Sequence, residues 1–135
     1  MSFPTDLAGT KGVFALVNPV AVTTTGNGSG VDVGNTDSAG TLVVHLGAVS
    51  GTSPTLAIKL QESRNNNSAD ATGAADAYAD ISGAVINLTD ANASTIVELR
   101  VNNRSKRYIR AVKTAGGTSP SFTCGVTFIA DTKSF

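Results

Sequence analysis

Histidine, cysteine and grouped carboxylates are the side chains from which a small protein builds a reaction centre, and this chain has few of them. Nucleophilic catalysis needs a base within hydrogen-bond reach of the nucleophile, most often histidine. The single histidine, His45, stands between Val44 and Leu46 in an apolar run, which reads as a packed or interface histidine. Cys124 is the one cysteine and alternates with Phe122 and Val126, so it reads as a small core hydrophobe, and no internal disulfide can form. Asp70, Asp76 and Asp80 lie in or beside a long polar stretch and could gather around a hard cation, but their spacing is not that of a calcium loop. Gly26-Asn27-Gly28-Ser29-Gly30 is glycine-rich like a phosphate cradle, yet no Lys-Ser/Thr follows it and no helix begins there. The expectation is a protein that is not an enzyme, with no catalytic residue, no cofactor and no metal site.

What the sequence concentrates is positive charge. Arg100, Arg104, Lys106, Arg107, Arg110 and Lys113 place six of the chain's ten basic residues on one stretch, whereas residues 1–98 carry three basic and nine acidic groups. A formal net charge of zero hides this division. A nucleic-acid binder would be basic throughout, so no nucleic acid is expected and a local dock onto an acidic protein surface fits better. Val97 to Thr114 reads as a β-hairpin in which Val97, Leu99 and Val101 alternate with charged residues, Asn102-Asn103 makes the turn, and Tyr108 to Val112 returns. Around that turn Arg104, Lys106 and Arg107 are free to reach outward and are the candidate partner contacts. Arg110 is expected to act through its side-chain stem. Cationic side chains on an exposed strand also guard it against edge-to-edge aggregation, and that use stays open beside docking.

The elements that must position these residues are strands. A chain of 135 residues, 41% hydrophobic, supports one core. Its richness in Gly, Ser, Thr, Asn, Ala and Val, with no Trp, predicts an all-β fold of short strands. Residues 1–19 show no lasting period and are expected to form an extended N-terminal arm lying on its own domain, a neighbouring copy or a larger partner, the alternative being a first strand with a frayed tip. Its Phe3, Leu7, Phe14 and Leu16 would lie against a partner, leaving residues 20–135 as the single domain. Val20–Thr25 and Val31–Val33 predict a second hairpin and Thr41–Val49 a central strand, with Leu42, Val44 and Leu46 on one face. Thr55–Glu62 has the cleanest period of two in the chain, with Leu56, Ile58 and Leu60 inward. Turns are predicted at Gly51–Pro54 and Ala115–Pro120 and a long surface loop over Ser63–Ala77. Short strands are predicted over 78–81 and 84–88, one helical turn within 89–94, and a last strand with Phe122, Cys124, Val126 and Phe128 on one face. Closely spaced strands without a crossover helix predict a two-sheet antiparallel sandwich, jelly-roll-like. No apolar run approaches a membrane span and no signal peptide is legible, which predicts no membrane partner and retention in the compartment of synthesis.

Three segments together resemble a known family. Asn18-Pro19-Val20 followed by a glycine-rich turn and Val31-Asp32-Val33, then Lys59-Leu60-Gln61-Glu62-Ser63, then Lys106-Arg107-Tyr108-Ile109-Arg110-Ala111-Val112 are similar to segments of tailed-bacteriophage capsid decoration, or cement, proteins. After Ser63 the chain departs from that pattern, with Arg64-Asn65-Asn66-Asn67 where relatives carry Asp-Asp-Gly and an aromatic. The resemblance implies a structural virion protein made in the host cytoplasm and bound on the outer surface of an icosahedral capsid. Its partners would be the major capsid protein and copies of itself, with a homotrimer expected. The alternative class is a host-surface or carbohydrate-binding module of a virion, against which the absence of Trp and the presence of two Tyr weigh.

Overall fold

The structure is a computed structural model that describes residues 11–68 and 74–132. Its strands are β1 (Lys11–Val22), β2 (Gly26–Asn27), β3 (Val31–Asp32), β4 (Thr36–Ser63), β5 (Ala79–Thr89), β6 (Ile96–Val101) and β7 (Tyr108–Thr132). One 3-10 turn, Asp90–Asn92, joins β5 to β6, capped by Thr89 Oγ1, which accepts from Ala91 N. The class is all-β, and every pairing in the seven-stranded sheet is antiparallel.

Two unusually long strands organise it. β4 (28 residues) and β7 (25 residues) run antiparallel from Thr36↔Thr132 to Ser63↔Tyr108. Midway, Gly51-Thr52-Ser53-Pro54 on β4 lies against Gly117-Thr118-Ser119-Pro120 on β7, the same tetrapeptide on both strands. Gly51 (φ 115) and Gly117 (φ 94) take up backbone conformations that favour glycine, and Ser53 and Ser119 also have positive φ (47 and 49). A Cβ on Gly51 would stand 2.8 Å from Ser119 O, and one on Gly117 2.5 Å from Ser53 O. The register shifts on both sides of Thr52, so the paired strands bend here without ending. The turns expected at 51–54 and 115–120 are therefore bends within strands.

The bend divides the sheet into halves. In one, β1, the end of β7, the start of β4 and β6 lie in that order; in the other, β2 and β3, the start of β7, the end of β4 and β5 do. Leu42, Val44, Leu46, Phe122, Val126 and Phe128 from the first half join Leu56, Ile58, Leu60, Leu88 and Ile109 from the second in one buried cluster. Alternation thus gives each half one apolar face, and the sheet folds over to bury both in a common core. Cys124 is buried in that cluster, and burial pushes its thiol above the ordinary range, as a core role requires.

Three expected features are corrected. Val97–Thr114 is not a hairpin, because β6 pairs with Gly40–His45 whereas the start of β7 pairs with the far end of β4, in the other half. Val20–Thr25 and Val31–Val33 do not pair with each other either: Val20–Val22 end β1 and pair with Cys124–Phe122 near the end of β7, whereas Val31 and Asp32 pair with Ile109 and Tyr108 at its start. Residues 11–19 are no arm. They belong to β1, and the boundary expected at residue 19 falls inside that strand. Leu16 and Val17 are buried in the core and Phe14 packs against it, burial that contributes about 1.5–3 kcal/mol for each fully covered side chain. Phe3 and Leu7 lie outside the described residues.

Candidate functional site

The connection from β6 to β7, residues 102–107, must carry the chain from one half to the other, and it is fastened by charge. Arg104 is 7% exposed. Its Nη1 donates to Lys106 O (2.6 Å), and its Nη2 donates to Thr36 O (3.1 Å), Thr36 Oγ1 (3.2 Å) and Asp37 O (2.9 Å). Nε is buried without a partner. Burial lowers the guanidinium's pKa, with Glu62 and then Asp32 opposing that shift through their charge.

Glu62, 9% exposed, caps the same connection. Its Oε1 accepts from Ser105 N (2.8 Å) and Lys106 N (3.1 Å), and its Oε2 from Ser105 Oγ (3.1 Å). With both oxygens engaged, this carboxylate orders the backbone. Lys106 Nζ reaches Asp76 Oδ2 at 3.0 Å. Asp76 is itself placed by Arg64 N, which donates to Oδ2 at 2.7 Å, and these two contacts, the Arg64 one first, hold its pKa below the ordinary value. Arg107 forms a bidentate pair with Asp32, Nε to Oδ1 at 2.9 Å and Nη2 to Oδ2 at 2.7 Å, which lowers the pKa of Asp32 and raises that of Arg107. Its guanidinium also lies 5.6 Å from the Tyr108 ring centroid.

Of the three residues expected to reach outward, Arg104 and Lys106 are turned to the protein itself, while Arg107 stays exposed in its pair with Asp32. Arg104 is buried, which overturns its assignment as a free contact, and Lys106 and Arg107 have carboxylate partners. Arg110 is held by its guanidinium, where a role for the side-chain stem was expected: the guanidinium lies 4.3 Å from the Tyr78 ring centroid while Nε and Nη2 donate to Gln61 Oε1 (2.9 and 2.8 Å). An open cavity of about 700 Å³ lies beside the crossover, lined by Phe14, Asp32, Asn35, Arg104, Lys106 and Arg107 among others. The arrangement binds strands together and neutralises itself.

The remaining candidates are dispersed. His45 is exposed, so of the packed or interface reading the packed form fails, and the side chain stands on the outer sheet face. It borders a shallow apolar depression of about 400 Å³ with Ala15, Pro19, Thr123 and Gly125. Asp70 lies outside the described residues, Asp76 faces Lys106, and Asp80 accepts from Gln61 Nε2 (2.8 Å) and Lys59 Nζ (3.1 Å). Among the described residues no group of three His, Cys, Asp or Glu could hold a metal ion, and no helix is long and apolar enough to cross a membrane.

Glu62 and Asp32 were not anticipated as partners of the basic stretch. For Glu62 a signal existed: the period that buries Leu56, Ile58 and Leu60 carries Glu62 to the same inner face, where a carboxylate needs donors. No protein-family model matches the chain, and neither does any curated protein.

Proposed function

We propose that this chain is a structural virion protein, a decoration or cement protein that binds the outer surface of an icosahedral phage capsid and stabilises it. One observation carries the reading: apart from Asn18–Val20, which lie in β1 against the end of β7, the segments that resemble that family are neighbours in space. Val31 and Asp32 pair with Ile109 and Tyr108 on one side of β7, while Lys59–Ser63 pair with Val112–Tyr108 on its other side. Val31–Asp32, Lys59–Ser63 and Tyr108–Val112 thus form three adjacent strands and supply both carboxylates, Asp32 and Glu62, that hold the crossover. A shared structural signature would be distributed in this way.

The strand order supports the same reading. Counting β2 with β3 as one segment and each long strand as two gives eight segments, ordered first-eighth-third-sixth in one half and second-seventh-fourth-fifth in the other. That nested order is the jelly-roll order, an architecture used in viral capsid domains and also in lectins. The partners in this proposal are the major capsid protein and further copies of the chain. Since Arg104, Lys106 and Arg107 are engaged internally, attachment to the shell is assigned chiefly to the residues before β1, including Phe3 and Leu7.

The test is co-sedimentation of the purified protein with expanded empty capsids. Saturation at a stoichiometry set by the lattice, lost when residues 2–10 are deleted from a protein that stays folded, is the expected result. No binding to the shell, together with retention on a glycan surface, would move the protein to the carbohydrate-binding class.

A further inference from the structure

Folding the sheet over leaves exposed edges, and they are not equivalent. The ladder of β1 with β7 is broken by register shifts between Ala15 and Val17 and between Val17 and Val20. The ladder of β5 with β4 shifts between Lys59 and Gln61, and Gly83 has φ 77 within β5. β2 and β3 are two residues each. Bulges, brevity and irregular backbone are the devices by which sheets prevent edge pairing. β6 has none of them. It pairs with β4 in unbroken register from Gly40↔Val101 to His45↔Ile96, and among the described residues no strand pairs with its other side.

We propose that β6 is the contact through which two copies of this chain join, antiparallel and two-fold symmetric about Leu99. Side-chain parity and charge both select that centre. Val97, Leu99 and Val101 point inward and Ile96, Glu98 and Arg100 outward, so inward residues of one copy must meet inward residues of the other to keep a continuous face. Centred on Leu99, Val97 of each copy faces Val101 of the second, and Glu98 faces Arg100, twice by symmetry. Centred on Glu98, the only other parity-preserving arrangement near the middle of the strand, two like carboxylates would stand opposite each other. Neither charge is used within the chain: among the described residues Glu98 has no ion-pair partner, and Arg100 Nε donates to the neutral Asn102 Oδ1 at 3.1 Å. Val97 and Leu99 are half-buried and pack against the core, so the second copy would also cover their exposed parts.

This contact is two-fold and pairs copies; a ring of three would need a different surface. It rests on β6 alone and stands or falls independently of capsid binding. The test is sedimentation equilibrium of the full chain over a range of concentrations and at low and high salt. The wild type should associate to a pair. Glu98→Arg alone and Arg100→Glu alone each replace both attractive pairs with repulsive ones and should raise the dissociation constant about ten-fold or more, and the double exchange should restore it. Leu99→Cys gives a second readout that needs no charge change: mild oxidation should link the pair through position 99, with Cys124 buried. A monomer at every concentration, association that the single reversals leave unchanged, or a folded Leu99→Cys variant that does not cross-link would each overturn the proposal.

Discussion

Arg104 is held by neutral oxygens. Three backbone carbonyls and a threonine hydroxyl surround its terminal nitrogens, and its balancing charges, Glu62 and Asp32, act without a direct hydrogen bond. Such a side chain cannot be removed cheaply, because the carbonyls of Thr36, Asp37 and Lys106 lose a donor and Glu62 is left without the cation it offsets. Arg104→Met is expected to lower stability by about 3 kcal/mol, seen as a lower urea midpoint at unchanged slope, and Arg104→Lys by less. The surface carboxylates make a different prediction. Asp32 and Asp76 have folded-state pKa values below the ordinary 3.8, through the Arg107 contact in one case and through Arg64 N and Lys106 in the other. A lowered folded pKa means stability that is fully present above about pH 4 and lost as pH falls through the folded values. Thermal midpoints followed downward from neutral pH should hold until about pH 4 and then drop. Asp32→Asn should have a lower midpoint at neutral pH and a shallower acid decline.

The bend shared by β4 and β7 is the element on which the architecture turns, and its glycines are set by backbone that lies too close for a side chain. Gly51→Ala and Gly117→Ala each combine positive φ with a Cβ driven into the opposite strand's carbonyl oxygen. Each should cost about 1–3 kcal/mol, whereas Gly26→Ala, with open space around its Cβ, should cost little. β1 makes the matching prediction at the edge. Deletion of residues 1–10 should leave the thermal midpoint nearly unchanged, and deletion of residues 1–19 should give insoluble or unfolded protein, because it strips Leu16 and Val17 from the core and bares β7. The inner faces of β4 and β7 were legible because they keep strict alternation: Leu56, Ile58 and Leu60, and Phe122, Cys124, Val126 and Phe128 are buried as their spacing predicts. β1 was legible only as the alternative to an arm, since its two bulges destroy the period by which a strand is recognised. The supposed hairpin failed for another reason. β6 and β7 follow one another in sequence, but each pairs with a different end of β4, a partner more than thirty residues away that local pattern cannot reveal. The repeated Gly-Thr-Ser-Pro was visible but reads as two turns until the strands are seen side by side.

At the scale of the molecule, one sheet serving as both layers means that neither half can hold its fold alone. β4 and β7 contribute strands to each half, and the first and last described strands, β1 and β7, pair with each other from Lys11↔Asp131 onward. The core is one cluster drawn from both halves. Such coupling predicts a single cooperative transition in spite of the visible division at the bend. The residues provide probes for the claim. Both tyrosines, Tyr78 and Tyr108, belong to the half that contains β5 and the start of β7, and the chain has no Trp, so intrinsic fluorescence reports that half. The single histidine, His45, lies in the other half, opposite Gly125 and Ile96, so its imidazole proton resonance reports there. Urea titrations followed by the two signals should give the same midpoint and slope. The folding rate should fall in the slow range of two-state proteins, about milliseconds to seconds, because strand pairing joins opposite ends of the chain. Midpoints that separate, with His45 released before or after the tyrosines, would mean that the bend is a hinge between independently stable layers. In that case substitutions at Gly51 and Gly117 should shift the coupling between the two transitions more than either midpoint.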